Sequence, residues 1–498
     1  MNLPSKIESV LSSLRRAGFE AYVVGGCVRD LLLRRPPKDW DIATNAKPAE
    51  IQAIFPKSFY KNNFGTVTVG EVEITTYRVD LGYSDQRHPD DVKFVSNLKE
   101  DLARRDFTIN AMALSPPAGG GVPRGREAAL RGEGEGADTV IIDDLTIIDP
   151  FGGLKDLNQK LIRAVGDPDQ RFSEDALRLL RAIRFSAQLN FTIEPATFQS
   201  ISQHAATIQA VSQERIRDEL IKIIMSEQPE AAFNLLEQTG LLKIILPELA
   251  EGIGIDQNKH HIYTVFQHNI KSLQFAARYD YPLDIRLAAL LHDVGKPKTR
   301  RFDQKSNDHT FYAHEIVGAK MAKKLLERLR FPVHQIKKIT HLIRHHMFYY
   351  DIGQITDAGI RRLLRRVGPE NFDDLIKLRI AERKGSGVPK ARPYRLRHLQ
   401  FMAEKVSQQA ITVGQLKIDG HDLMNKANIK PGPQIGGILN ALLAEVIDDP
   451  SKNNPDYLLK KAEELKTKNP ADLKQLGAAA IEKEEQKRDD DIKRKYHV

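Results

Sequence analysis

Two carboxylates one residue apart, Asp39 and Asp41, follow closely on a paired-glycine turn, Gly25-Gly26. In an extended segment residues i and i+2 share a face, so both carboxylates would be presented together. Oxygen ligands of this kind suit Mg²⁺, which binds substrate phosphates at the same time. Paired ions of that type activate an attacking hydroxyl and stabilise a departing pyrophosphate. The glycines add a second element. Backbone N–H groups at a helix start hold phosphate, and the missing Cβ lets it approach closely. Asp39 and Asp41 are therefore the candidate catalytic, Mg²⁺-binding residues, and Gly25, Gly26 and Arg29 are candidate nucleotide contacts. Alone, a glycine pair reads as a tight turn and Asp-Trp-Asp as a solvated strand edge. Together, ahead of an alternating segment, they read as a phosphate site. Glu71 and Glu73 in that segment offer a third carboxylate, or else a solvent-facing pair.

A second constellation is built from histidine. His268, the His292-Asp293 pair, His314 and the His345-His346 pair are spaced along helical patterns. One histidine is usually structural, but several with an adjacent aspartate suit Zn, Mn, Fe or Ni. A third lies in RFSEDALRLLRAIRFSAQL (171–189), which predicts one helix with Ser173 as its N-cap and acidic residues in the first turn. Ala176, Leu180, Ile183 and Ala187 form its apolar stripe. Glu174, Arg178, Arg181 and Arg184 lie elsewhere on it, and Asp175 is three residues before Arg178. By spacing alone this is a salt-bridge ladder on a solvated helix.

These groups need a scaffold. Residues 1–114 read as α/β: an amphipathic N-terminal helix, a strand AYVV running into the glycine turn, a short helix VRDLLLRR, a strand KDWDIAT, and a hairpin over 63–80. Residues 115–139 are rich in Gly, Pro and charge and predict a disordered insertion. Helical patterns dominate from 141 onward. KGSGVPKARP (384–393) reads as a linker and 482–498 as a charged, frayed tail. The chain of 498 residues is too long for one core. The expected fold class is α+β: a small mixed-sheet head (1–153), then an all-α neck (154–225), body (226–385) and tail (386–498). A formal net charge of +9 points to a polyanionic partner. The single cysteine, Cys27, permits no intramolecular disulfide and fits a cytoplasmic location. No run of about 18 apolar residues is present, so no membrane span is expected.

GGCVRDLLLRRPPKDWDIAT resembles the signature of the class II tRNA nucleotidyltransferase and poly(A) polymerase family, within the polymerase-β superfamily. The similarity continues in Arg104-Arg105-Asp106-Phe107-Thr108-Ile109-Asn110-Ala111. The resemblance implies that Arg104, Arg105, Asp106 and Asn110 hold the nucleotide's sugar and triphosphate. Glu174-Asp175-Ala176-Leu177-Arg178 is similar to the family's EDxxR pattern, which implies that Asp175 and Arg178 read the base, with Arg181 and Arg184 also at the nucleotide. The chemistry supports such a template. Cytosine N4 and adenine N6 donate beside a ring-nitrogen acceptor, whereas guanine and uracil present the reverse. An aspartate and an arginine fixed side by side thus match C and A. The implied reaction is addition of CMP and AMP from CTP and ATP to the 3′ end of tRNA; the alternatives are an A-only adding enzyme or poly(A) polymerase, or a metal phosphohydrolase with an RNA-binding head. The histidine set resembles the HD phosphohydrolase superfamily. It implies His268, His292 and Asp293 as ligands, with His314 and His345 or His346 at a second site and Glu382 where that family has aspartate. Arg361, Arg362, Arg365 and Arg366, followed by the basic residues 383–397, are expected to track RNA phosphates, or to be a solvated basic surface. Residues 416–450 resemble the tail of bacterial HD-containing members. The sequence leaves the oligomeric state open.

Overall fold

The structure is a computed structural model and describes residues 3–60, 65–81, 91–115, 138–142, 145–257, 262–387, 394–407 and 412–498. Most of the expected insertion (116–137) and the linker residues 388–393 lie outside the described residues. The chain divides into two compact units, residues 1–346 with 377–388, and residues 347–376 with 389–498.

The first unit opens with helix α1 (Ser5–Arg16), strand β1 (Ala21–Val24) and helix α2 (Gly26–Leu32). Strands β2 (Trp40–Thr44), β3 (Phe59–Tyr60), β4 (Thr66–Val69), β5 (Val72–Thr76), β6 (Arg78–Leu81), β7 (Asp91–Phe94), β8 (Ala113–Ser115), β9 (Thr139–Ile142) and β10 (Leu145–Ile148) follow. Eight of the strands form one sheet in the order β3-β4-β5-β2-β1-β8-β10-β9, while β6 and β7 pair separately. The sheet is mixed, because β2 and β5 run parallel and their neighbours antiparallel. Val23, Ile42, Val67 and Ile74 bury one face against Leu11, Leu14 and Val28 of α1 and α2. Val24, Ala43 and Ala113, whose side chains alternate with these, join Tyr77 and Leu102 in a second cluster. Two expectations change here. Residues 139–142 and 145–148 are strands rather than the start of the helical part, as their β-branched content favours. Glu71 stands in the turn before β5, so only Glu73 lies on the strand.

The expected single helix over 171–189 is two. Helix α3 (Pro168–Glu174) ends, Asp175 takes an extended backbone (φ −143°, ψ 103°), and α4 (Leu177–Leu189) begins. Ser173 caps nothing; its hydroxyl donates to Gln170 O, and Asp167 is the N-cap of α3. Aspartate favours helix starts over helix interiors, and the Asp175 carboxylate accepts the Leu177 N–H at 3.0 Å. Helix α4 is buried nearly all round, with Leu179, Leu180, Ala182 and Ile183 inaccessible, and packs on α5 (Gln213–Ile224).

Helices α6 (Val265–Arg278), α7 (Leu283–Leu291), α8 (His314–Arg328) and α9 (Val333–His345) form the later part of this unit. Thr264 and Gln267 make a reciprocal capping box that starts α6. The second unit contains α10 (Asp357–Val367), packed on α12 (Tyr394–Ser407), and a cluster of Leu423, Ile438, Leu442, Leu458 and Leu473. Helix α11 (Pro369–Gly385) contributes its residues from 377 onward to the first unit. No helix among the described residues is long and apolar enough to cross a membrane.

The turn after α7 touches α8 through glycine. A Cβ on Gly295 would stand 2.2 Å from His314 O and 2.5 Å from Gly318 N, both backbone atoms. Gly295→Ala is therefore expected to destabilise the first unit by about 1–3 kcal/mol, read as a lowered denaturant midpoint; an unchanged midpoint would contradict this packing.

Candidate functional site

In the head, Asp41 on β2 stands in parallel register with Glu73 on β5, and Asp39 immediately precedes β2. Burial raises the Asp41 pKa; Glu73 and Asp39 push the same way, while Arg105 opposes them. Three carboxylates so placed favour a bound cation. Gly25 takes φ +84°, and a Cβ there would lie 2.6 Å from Arg105 Nη1 and 3.5 Å from Asp41 Oδ2. The glycine thus brings the turn against both an acid and a base. Glu71 instead pairs with Lys6 at 3.0 Å, at the surface.

Behind this edge runs a chain of charge-assisted bonds. Arg29, almost buried, donates from Nε and Nη2 to Asp30 Oδ1 (2.9 and 2.7 Å) and from Nη1 to Asn110 Oδ1 (2.7 Å). Asn110 Nδ2 donates to Asp106 Oδ1 at 3.1 Å, and Arg181 Nε on α4 donates to Asp106 Oδ2 at 2.7 Å. Burial opposes ionisation of Asp106, but Arg181 and the Asn110 amide hold its pKa down to about 2. Arg104 pairs with Asp101 at 2.9 Å, and Arg105 Nη1 reaches Asn110 O at 3.4 Å. The Phe185 ring has the guanidinium carbons of Arg184, Arg29 and Arg181 at 4.3, 5.2 and 5.5 Å from its centroid. Burial lowers Arg184 to about 10, countered by Glu219, with which it pairs at 3.2 Å.

Asp175 and Arg178 lie at the break between α3 and α4, each already engaged. Asp175 Oδ2 accepts from Arg215 Nη2 on α5 at 2.9 Å. Arg178 Nη1 donates to Glu174 (2.6 Å) and Arg171 O (3.1 Å), and its Nη2 to Arg104 O (3.1 Å). A carboxylate has about four acceptor sites and a guanidinium five N–H donors, so both retain bonding capacity.

In the body, four imidazoles surround one carboxylate. Asp293 Oδ2 lies 3.5 Å from His268 Nε2 and 3.3 Å from His292 Nε2, and its Oδ1 lies 3.2 Å from His314 Nε2 and 3.7 Å from His346 Nε2. In three of these rings Nδ1 meets a backbone carbonyl: His292 bonds Ala289 O (2.9 Å), His314 bonds Phe311 O (2.7 Å) and His346 bonds Ile343 O (2.7 Å). These backbone bonds orient the Nε2 atoms toward Asp293, the arrangement that metal-binding histidines use. Two groups of three could each hold an ion, His268-His292-Asp293 and Asp293-His314-His346. Nε2 of His314 and of His346 is buried without a hydrogen bond, as expected of ligand atoms. Burial, with His292 beside it, pushes His268 down to about 3, so this imidazole is neutral and able to ligate.

Of the expected alternatives His345 and His346, the structure brings His346 into the cluster, and the candidate ligand His345 gives way to it. One residue turns a helical side chain by about 100°, so His346 points into the cluster while His345 faces the ring of His341 at 4.6 Å. Glu382 is close enough to feel His346 and His292, but its carboxylate is paired with Arg379; burial opposes ionisation and Arg379 holds it down to about 2. Lys296 Nζ lies 2.6 Å from Asp293 Oδ2 and also bonds Gln257. Sequence reasoning missed Phe185, Arg215, Lys296 and Arg379. Only the last two carried a local signal, each standing three residues from an acid on the same turn.

Three family profiles match the chain: the poly A polymerase head domain over residues 21–163, the probable RNA and SrmB-binding site of polymerase A over 190–253, and the HD domain over 265–382. The CCA-adding enzyme of Limosilactobacillus fermentum is 34% identical over 483 residues, covering 93% of this chain and 98% of that one. The CCA-adding enzyme of Lactobacillus johnsonii is 47% identical over 248 residues, 48% of this chain and 56% of that one. Among solved structures, the Bacillus stearothermophilus CCA-adding enzyme in complex with CTP is similar with a TM-score of 0.56 and 27% identity, over 93% of this chain and 98% of that one.

Asp106 generates a pH-dependent expectation. Its folded pKa lies below the unfolded one, so ionisation stabilises the fold above roughly pH 4 by about 2 kcal/mol, and this is lost as pH falls toward 2. Asp106→Asn should be less stable than the parent at pH 7, with the gap closing toward pH 2 in denaturant titrations. A gap that is the same at both pH values would contradict the ion pair with Arg181.

Proposed function

The chain belongs to the family of CCA-adding enzymes, and from that premise we propose how its residues transfer CMP and AMP from CTP and ATP to the 3′ end of tRNA. The 3′ oxygen of the RNA bonds to the α-phosphorus, the bond to the β-phosphate bridge breaks, and pyrophosphate leaves. The carrying observation is the convergence of Asp39, Asp41 and Glu73 beside a glycine turn that a Cβ would fill.

Asp39 and Asp41 would hold Mg²⁺, for which an all-oxygen donor set is suited. When bound, the ion neutralises triphosphate charge and activates the hydroxyl. Gly25 and Gly26 leave room for phosphate oxygens, and Arg105 beside Gly25 offers them a guanidinium. Arg29 and Asn110 act through Asp106 to keep this edge in register with α4. Arg104, Arg181 and Arg184 add positive charge around the same region.

Asp175 and Arg178 would read the base. The carboxylate accepts from cytosine N4 or adenine N6, and the guanidinium donates to the neighbouring ring nitrogen. Guanine or uracil would set acceptor against acceptor and donor against donor, each mismatch costing roughly 1–3 kcal/mol. The selection needs no nucleic-acid template, because the pair is fixed by protein contacts on both sides.

A second activity is favoured by the histidine cluster. His268, His292, Asp293, His314 and His346 would hold one or two transition-metal ions (Ni, Mn, Zn or Fe), which supply a water activated for phosphoester hydrolysis. Here Lys296 and Arg379 place positive charge for a phosphate, and the backbone carbonyls of Ala289, Phe311 and Ile343 fix the imidazole tautomers.

Three outcomes are expected. Asp41→Asn should lower nucleotide addition to tRNA by about 10³-fold or more, several kcal/mol of transition-state stabilisation, with the fold intact by circular dichroism; retained addition would remove the assignment. Asp175→Ala should raise the use of GTP and UTP relative to CTP by about tenfold or more, in single-nucleotide extension assays; an unchanged ratio would place base reading elsewhere. Asp293→Asn should lose transition metal from the purified protein, by elemental analysis, while adding nucleotides as before; full metal content in the variant would contradict the cluster.

A further inference from the structure

We propose that the second unit carries a nucleoside-phosphate site of its own, in a cavity formed by residues 348–366 and Leu399. The cavity has a volume of about 550 Å³, within the range of roughly 300–1,000 Å³ usual for small-molecule sites. Part of its lining is aromatic. Tyr349 leaves 68% of its surface exposed, with its hydroxyl 3.1 Å from Gln354 Oε1 and 3.3 Å from Asp351 Oδ2. Phe348 lines the cavity next to it, and Tyr350 is fixed by a 2.6 Å bond from its hydroxyl to His398 Nδ1. Another part is cationic. Arg362 and Arg366 stand one turn apart on α10, both exposed, and neither is held in an ion pair among the described residues.

This combination selects a ligand class. An exposed aromatic ring stacks on a nucleobase, whichever base it is, because every base has a π-face. A side-chain amide such as Gln354 can bond the base edge. Guanidinium groups that keep all their donors suit phosphate oxygens. A bare anion would use the arginines but not the rings, and an apolar ligand the reverse. The cavity lining holds no aspartate pair or histidine cluster, so the site binds rather than reacts. As part of a backbone track these arginines would need no aromatic neighbours; the cavity gives two of them a base to accompany the phosphate. The nucleotide is either free or turned out of the stack of an RNA strand, and both present the same chemistry.

The test photolabels the full chain with 8-azido-AMP and, separately, with 4-thiouridine-bearing tRNA that lacks its CCA end, and maps the labels by peptide mass spectrometry. Label within residues 348–366 is expected from at least one probe: from the first if the ligand is free nucleotide, from the second if it is a turned-out nucleotide. AMP should displace that label at least about tenfold better than adenosine, the energy of one guanidinium–phosphate contact. The Arg362→Glu/Arg366→Glu variant should lose it by a similar factor while the head peptides remain labelled, which shows the chain is folded. No label in this segment from either probe while the head is labelled, equal competition by adenosine, or undiminished labelling of the variant would each overturn the proposal.

Discussion

Asp106 is a carboxylate with almost no access to water, kept ionised because Arg181 reaches it from a distant part of the chain. Removing either partner would strand a buried charge, which is far costlier than never having built the pair. The pair therefore works as a registration device. It fixes the motif that carries Arg104, Arg105 and Asn110 to the helix that begins beside Asp175, and Asn110 passes the constraint on to Arg29 and the glycine turn. The groups proposed to face phosphate and base come from separate segments, yet one connected set of bonds holds them. Phe185 adds a hydrophobic post among three guanidinium groups, so that cations which repel one another share a single ring.

Much of this was legible in the sequence, because the relevant signals were local. A glycine pair between an apolar run and a short helix, two acids at strand spacing, and an apolar helix ending in His-Asp all describe neighbours in the chain. They became α2, β2 and the end of α7. What was not legible depended on contacts between distant residues or on single-residue rotation. The break at Asp175 follows from its carboxylate accepting the first N–H of α4 and being held by Arg215, forty positions on. His345 and His346 could not be separated by composition; only the end of α9 decides which of them turns inward. Strands β9 and β10 read as a prelude to helices because the segment before them gave no pattern, and their identity is set by pairing of β10 with β8 and of β9 with β10.

The two candidate centres offer opposite ligand chemistries. The head gathers carboxylates beside a glycine turn, which suits a hard ion and, on the proposed reading, bond formation at an RNA end. The body gathers imidazoles around one shared carboxylate, which suits a softer ion and hydrolysis. Both hold a buried carboxylate ionised beside a guanidinium: Asp106 beside Arg181 and Glu382 beside Arg379. A chain that both adds nucleotides and hydrolyses phosphoesters would be able to prepare an RNA end and then extend it.

Protein side chains alone, on this reading, determine which nucleotides are added. The most direct measurement incubates the purified chain and Mg²⁺ with tRNA lacking its CCA end, offering each nucleoside triphosphate singly and then CTP with ATP, and resolves products at single-nucleotide length. Two additions are expected with CTP alone, three with CTP and ATP together, and negligible extension with GTP or UTP. Extension by ATP alone with no use of CTP, or equal use of all four nucleotides, would contradict side-chain selection of C and A.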